Sequence, residues 1–450
     1  MSLKKDITKV FSSNVINLMV GLITGFLVPA FLSIDQYAYL KTFTLYIGYV
    51  GILHFGFIDG LYIKYGGKTE QELDKNILKG EQLFLLYFQM IITAFFFLMG
   101  VFLKDNILLA FSLAILPINM IMLFQFLFQA LGQFGSYAKI TLITPNLLLV
   151  MNLVIIYILK LDNYWPFVVG TILINYLVFF GLEISFLRKE KGYKASFNPK
   201  TLKENFSIGI FIMIGNLSAI LFYSIDRWFV KYLFSVKEFA FYSFAISMMT
   251  VINLLISSVT MTFYPYLIRN QEEGLHRKIK TYFLILGTIA SGGYFAFSFV
   301  VRFFLQKYIP SLDIIMILFA GFPAIIVINA LYVNLYKAQK QERRYFFTVF
   351  KMLLVSIMII VIALSMFKTP QTIAVATTLS FYIWYLYSAK DFSYLAIHFK
   401  EIAYLCCYLS LFFLTTTYFS WWQGAIIYFM TIVLINVAFY SKELRELMKR

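Results

Sequence analysis

The sequence predicts an all-α polytopic membrane protein. It is expected to have about fourteen transmembrane helices, in two six-helix lobes related by a parallel pseudo-two-fold repeat, plus a C-terminal helix hairpin. Three observations carry this reading. Of 450 residues, 61% are hydrophobic and 13% charged, and mean hydropathy is +0.80. A soluble chain is nearer a quarter charged, so the bilayer must act as solvent here. The apolar stretches are continuous and long enough for spanning helices, which need about 20 residues. Barrel strands would instead alternate over segments of about 10 residues. Finally, the basic residues concentrate in alternate connections.

The expected spans run over residues 10–32, 37–63, 81–103, 107–131, 137–160, 164–187, 206–233, 239–268, 280–305, 312–337, 345–367, 371–389, 400–419 and 421–441. One set of connections and ends holds 28 lysines and arginines and the other holds seven. The positive-inside rule therefore places both termini in the cytoplasm. The formal charge of +16 is read as topology, and nucleic acid is not an expected partner. Val10 to Leu32 is too long for a signal-peptide core, so no cleavable leader is expected. Cys406 and Cys407 are adjacent in an apolar span and cannot hold zinc alone. No cofactor or metal site is expected. The longest loop, Arg188 to Asn205, has no His, Asp or Cys. That argues against a glycosyl- or acyltransferase, and no enzymatic activity is expected.

Two segment pairs repeat at similar offsets. Leu32 to Phe43 aligns with Phe234 to Ala245 at a shift of 202, and Leu127 to Tyr137 aligns with Leu335 to Tyr345 at a shift of 208. Six spans is an even number, so the copies share one orientation, related by an axis along the membrane normal. The expected lobes are 10–187 and 206–389, rocking about a central cavity, with 400–441 as an appended hairpin.

Polar residues inside the spans are the candidate site, because charges there are expensive and mark function. The first span carries Asn14 and Asn17, which suit a helix interface or a cavity equally. The second carries Lys41 and Asp59, five helical turns apart. On one continuous helix both would face the same way. Cavity lining and snorkelling to the interfaces both stand as readings. His54, between them, reads first as a satisfied core histidine. In the seventh span Asp226 and Arg227 are adjacent, and Lys231 shares a face with Arg227. Gln125, Arg302 and Lys351 add polarity to the fourth, ninth and eleventh spans.

Several of these stretches together resemble the Wzx-type flippases for O-antigen and capsule, within the multidrug/oligosaccharidyl-lipid/polysaccharide exporter superfamily. The carrying residues are SIDRWFVKYLFSVKEFAFYSFA (Ser224 to Ala245), NLMVGLITGFLVPAFLSIDQYAYL in the opening, GFIDGLYIKY at the end of the second span, and Phe128 to Ile140. Ala240 stands where that family usually has glycine. The resemblance implies transfer of undecaprenyl-diphosphate-linked oligosaccharide from the inner to the outer leaflet of a bacterial cytoplasmic membrane. A diphosphate needs fixed cations, and Lys41, Arg227, Lys231, Arg302 and Lys351 are the available ones. Asn14, Asn17, Asp59, Asp226 and Gln125 would line or gate the cavity. The expected partners are the lipid-linked oligosaccharide, membrane lipids and a coupling ion, H+ or Na+. Energy from an ion gradient and from substrate supply both stay open. The alternative is a drug or metabolite antiporter of the same superfamily. That activity would favour buried acids, and cations outnumber them here.

Overall fold

Continuous apolar runs leave the backbone no partner but itself, and the chain answers with helices. The computed structural model describes residues 3–260, 267, 270 and 272–448. Among them every regular element is helical. Among the described residues ten helices are long and apolar enough to cross a membrane, or twelve if two bent pairs each count as one span. That is fewer than the expected fourteen: the expected first span falls on α1 (Leu3–Phe31), whose apolar part, Val15–Phe31, is shorter than a span, and the expected twelfth falls on the helix Pro370–Asp391, which is not among the ten.

The chain forms two compact units, Met1–Leu221 and Phe222–Arg450. Unit 1 contains α1, α2 (Ile34–Ile47), α3 (Phe57–Tyr65), α4 (Lys75–Leu103), α5 (Asn106–Ala130), α6 (Phe134–Val154), α7 (Trp165–Lys189) and nearly all of α8 (Pro199–Phe222). The second expected span is not one helix. Its two parts, Ile34–Ile52 and Phe57–Tyr65, are bent by 51°. Phe55 and Gly56 both have positive φ, at 50° and 83°, in the glycine-spaced run Gly48 to Gly56. The five-turn register between Lys41 and Asp59 therefore fails, because it required an unbroken helix.

The break serves packing. Gly56 and Gly60 lie one turn apart, as in the small-xxx-small pattern that lets helices approach closely. A Cβ on Gly60 would collide with the backbone of Asn205, and one on Gly209 with the carbonyl of Gly56. Helix α8 is thus pressed backbone to backbone against α3. Phe206 fills the space beside this contact, with ring centroids 5.0 Å from Phe57 and 5.7 Å from Phe88. A buried carboxylate completes the junction. Glu81 of α4 accepts from Lys64 Nζ at 2.6 Å, Tyr65 Oη at 2.6 Å and Asn205 Nδ2 at 2.7 Å. At the basic-loop end, Lys189 pairs with Glu70 at 2.6 Å and Gln133 donates to Glu70 at 3.0 Å. The Lys189 hydrogen bond holds the Glu70 carboxyl below its ordinary range.

Unit 2 begins at a second break. The expected seventh span, 206–233, is two helices: α8 ends at Phe222, and α9 (Ile225–Leu233) starts after Tyr223 and Ser224. Then follow α10 (Val236–Thr260), α11 (Glu273–Ser291), α12 (Gly293–Phe304), α13 (Leu312–Phe319), α14 (Phe322–Val327), α15 (Val333–Ala338), α16 (Glu342–Met366), α17 (Pro370–Asp391), α18 (Phe399–Tyr418) and α19 (Trp421–Met448). The stretches on either side of Ala320 and Gly321 are bent by 52°. The C-terminal hairpin, α18 and α19, is fastened to α11 by buried polar contacts. Tyr408 Oη donates to Ser291 Oγ at 2.6 Å, and Tyr404 Oη donates to Asn436 Oδ1 at 2.7 Å and meets Thr288 at 3.0 Å. Lys280 reaches Glu401 at 2.9 Å.

Each unit shows the same local backbone at the paired sequence segments. The amide of Tyr37 donates to the carbonyl of Ser33 at 2.9 Å, and that of Phe239 to Ser235 at 3.0 Å. At the other pair, Gln133 N–H reaches Phe128 O and Gln341 N–H reaches Tyr336 O, both at 2.8 Å. The left-handed residue that closes each helix is Gly132 in unit 1 (φ 68°) and Lys340 in unit 2 (φ 54°). This is the usual glycine position after a helix end. A non-glycine residue in that conformation costs roughly 1–2 kcal/mol.

Three variants test this packing and strain. Gly209→Ala should lower the thermal midpoint of the purified protein, with a loss of about 1–3 kcal/mol for an overpacked contact. Gly181→Ala, where a Cβ meets nothing within 4 Å, should be close to neutral. Lys340→Gly should raise the midpoint slightly, by up to about 1 kcal/mol; an unchanged or lower value would remove the strain assignment.

Candidate functional site

The best-built polar cluster near the expected site residues lies where α9 begins. Asp226 is buried, and its Oδ2 accepts from Tyr242 Oη of α10 at 2.9 Å. Its Oδ1 accepts the backbone N–H of Arg227 at 2.7 Å. This is how the chain holds a carboxylate in the first turn of a helix, where the dipole favours it. Arg227 is half-buried. One terminal nitrogen donates to the carbonyl of Tyr223 at 3.3 Å, across the break that precedes α9. Its Nε is buried and has no hydrogen-bond partner among the described residues. Tyr223 is itself tied down, donating to Asn329 Oδ1 at 2.8 Å. The break thus frees the Tyr223 carbonyl from helical bonding, and the guanidinium takes it.

One turn on, Lys231 sits over the rings of Trp228 and Tyr232, 5.3 Å and 5.0 Å from their centroids. Those rings stack at 5.7 Å with 14° between planes. Arg227, Lys231 and their aromatic neighbours therefore form one cationic and aromatic helix face.

The remaining expected residues go elsewhere. Arg302 is exposed on α12 and donates from Nε to Ser298 Oγ at 3.2 Å. Lys351 is exposed on α16, and its Nζ donates to Tyr387 Oη at 3.2 Å. In unit 1, Lys41 is half-buried on α2 with its ammonium 5.2 Å from the Tyr37 ring centroid. Asp59 is buried on α3, its Oδ2 3.8 Å from His54 Nε2. His54 Nδ1 accepts the N–H of Gly56 at 3.1 Å, which leaves Nε2 to carry the proton of a neutral ring. Asn17 donates to the carbonyl of Thr141 at 3.2 Å, joining α1 to α6. Gln125 is half-buried on α5. Asn14 lies on α1 at a position whose side chain is outside the described residues.

The family model described as "Polysaccharide biosynthesis protein" matches residues 3–271, more than half of the sequence. The chain belongs to that family. No curated protein matches it. Among solved structures it is similar to "Lipid II flippase MurJ, inward closed conformation", with TM-score 0.71 and 15% identity, covering 98% of this chain and 99% of that one. It is also similar to "Inward-facing conformation of a multidrug resistance MATE family transporter of the MOP superfamily", with TM-score 0.54 and 13% identity over 85% of this chain and 95% of that one. At these identities the likeness is one of fold.

Sequence reasoning missed the partners that define the cluster. Tyr242, Tyr223 and Asn329 are ordinary residues of apolar stretches, and only folding brings Tyr242 against a carboxylate 16 positions away. It also missed Glu81, whose place near the expected start of a span reads as an interfacial charge. The weak signal for both was a carboxylate among apolar residues with a hydroxyl- or amine-bearing residue on a neighbouring span.

Tyr242→Phe removes the hydroxyl donor to Asp226 while keeping the ring. It should cost about 1–3 kcal/mol, the usual penalty for stranding a buried acceptor. A lower thermal midpoint with unchanged helix content by circular dichroism is the expected result. An unchanged midpoint would mean that water satisfies Asp226.

Proposed function

We propose that this protein is a flippase. It moves undecaprenyl-diphosphate-linked oligosaccharide from the cytoplasmic to the outer leaflet of the bacterial cytoplasmic membrane by alternating access, for surface polysaccharide assembly. In this reading both termini are cytoplasmic, the protein is a carrier rather than an enzyme, and no cofactor takes part. The lobes 10–187 and 206–389 act as the repeat-related halves, with 400–441 as an added hairpin. An ion gradient, of H+ or Na+, or substrate supply drives transport. Family membership supports the polysaccharide context, and a fold shared with a lipid flippase supports a lipid-borne cargo.

The observation that carries the proposal is Arg227. A charge at mid-membrane costs about 2.5–3.5 kcal/mol even on a lenient insertion scale. Arg227 is half-buried, uses a terminal nitrogen on a backbone carbonyl, and leaves Nε unbonded among the described residues. Asp226 does not neutralise it through a side-chain bond; that carboxylate is occupied by Tyr242 and a backbone amide. A guanidinium with unused donors suits a phosphate, whose oxygens it can bind in pairs. Lys231 offers a point charge one turn away, and its aromatic neighbours offer faces on which sugars stack. Lys41, Arg302 and Lys351 are secondary cations along the route. Asn14, Asn17, Asp59, Asp226 and Gln125 line or gate it.

Replacing Arg227 by Ala removes a charge-assisted contact worth about 1.5–3 kcal/mol. Glycan export in cells should fall on the order of 10- to 100-fold at unchanged membrane abundance. Arg227→Lys should recover part of it, since charge survives and the fork does not. Lys41→Ala should reduce export less. Normal export in both alanine variants at normal abundance would sink the assignment of these residues.

A further inference from the structure

A different pair of residues in unit 1 has no role in this reading. Gln82 of α4 and Glu183 of α7 are 1% and 8% exposed and meet at 2.6 Å, Nε2 to Oε1. Each keeps one further buried polar atom, Gln82 Oε1 and Glu183 Oε2, without a hydrogen-bond partner among the described residues. The pair lies about 10 Å inside the Lys75 end of α4 and about 9 Å inside the Lys189 end of α7, at 1.5 Å per residue. It is embedded in an apolar cluster: Leu78 and Leu85 flank Gln82, and Phe179 and Phe186 flank Glu183.

Among the described residues no cation reaches it. Lys79, on α4, donates to the carbonyls of Glu190 and Tyr193. Lys64 is committed to Glu81, Lys189 to Glu70 and Lys75 to Glu190. Among the helices packed on α7, α5 carries no Asp, Glu, Lys or Arg, α6 carries Lys139 alone, and α2 carries Asp35 and Lys41. The contrast with Glu81 is instructive. Glu81 has three donors, one of them cationic, and suits a carboxylate. Glu183 has one neutral amide. An ionised, unpaired carboxylate in such surroundings costs several kcal/mol. A carboxylic acid costs far less, and its own O–H gives the site the donor it lacks. The amide orientation of Gln82 is interchangeable, so its oxygen can face that proton.

We propose that Glu183 is a proton-binding site in unit 1, held as a neutral carboxylic acid against Gln82. Proton release would demand that water enter between α4 and α7. Deprotonation is therefore linked to loosening of that contact at the basic-loop end of the unit. The sign is fixed: the closed contact is favoured while the acid is protonated and is weakened as pH rises through its titration. The site stands on the geometry of unit 1, and only a link to transport would rest on the flippase reading.

The test uses the purified full chain in lipid nanodiscs, without substrate. Infrared difference spectra should show the carbonyl band of an un-ionised carboxyl at neutral pH. That band should be lost in Glu183→Gln and shifted in Glu183→Asp, which keeps the acid. It should persist in Glu204→Gln, a change at an exposed glutamate. Hydrogen exchange at α4 amides around Gln82, corrected for its intrinsic pH dependence, should speed up with pH in the natural sequence and not in Glu183→Gln. A neutral-pH spectrum identical in the natural protein and Glu183→Gln would show an ionised Glu183 and overturn the proposal. Loss of the band on adding Na+ at fixed pH would make this a metal-cation site and overturn it equally. Exchange that ignores pH in both proteins would overturn the link to loosening. None of these readouts depends on what the protein carries.

Discussion

A charge placed among apolar helices must find a partner, take up a proton or face a ligand, and this requirement organises the chain. Glu81 takes the first route. Its three donors come from α3 and α8, so a single carboxylate ties together elements more than 100 residues apart in sequence. Asp226 takes the same route with Tyr242 and a helix-start amide. Arg227 is left with spare donor capacity among the described residues, and that asymmetry within one dipeptide separates scaffold from candidate site.

Glycine makes the scaffold possible. The close approach of α8 to α3 depends on Gly56, Gly60 and Gly209 lacking side chains, and the same Gly56 permits the turn that breaks the second span. Breaking a helix in an apolar setting exposes backbone groups that need new partners. At Tyr223 the new partner of the carbonyl is the Arg227 guanidinium. Local backbone irregularity and the candidate cation are therefore joined by one hydrogen bond.

The fold class was legible because it rests on composition and run length, which a sequence displays directly. The pairing of 32–43 with 234–245 and of 127–137 with 335–345 was read from side chains shared at matching positions, and the same local backbone hydrogen bonds recur in each pair. What failed were readings that assumed straight helices. The five-turn register between Lys41 and Asp59 is lost where the backbone breaks at Phe55 and Gly56. The seventh span, read as continuous, is interrupted at Tyr223 and Ser224, where nothing in the local composition announces a stop. Hydropathy reports how apolar a stretch is and carries no information on whether its backbone is bent. The hydrogen-bond partners of Glu81 and Asp226 were out of reach for a related reason: tyrosines and asparagines in apolar runs look alike until packing selects one.

The proposed activity separates from its rival by cargo. The direct measurement is reconstitution of the full chain in proteoliposomes loaded with a fluorescent polyprenyl-diphosphate oligosaccharide, with leaflet exchange followed by quenching from outside. Exchange faster than in protein-free vesicles, and no movement of a cationic dye in parallel vesicles, is the expected result. Dye movement with no acceleration of the lipid-linked glycan would contradict the flippase reading and favour the antiporter.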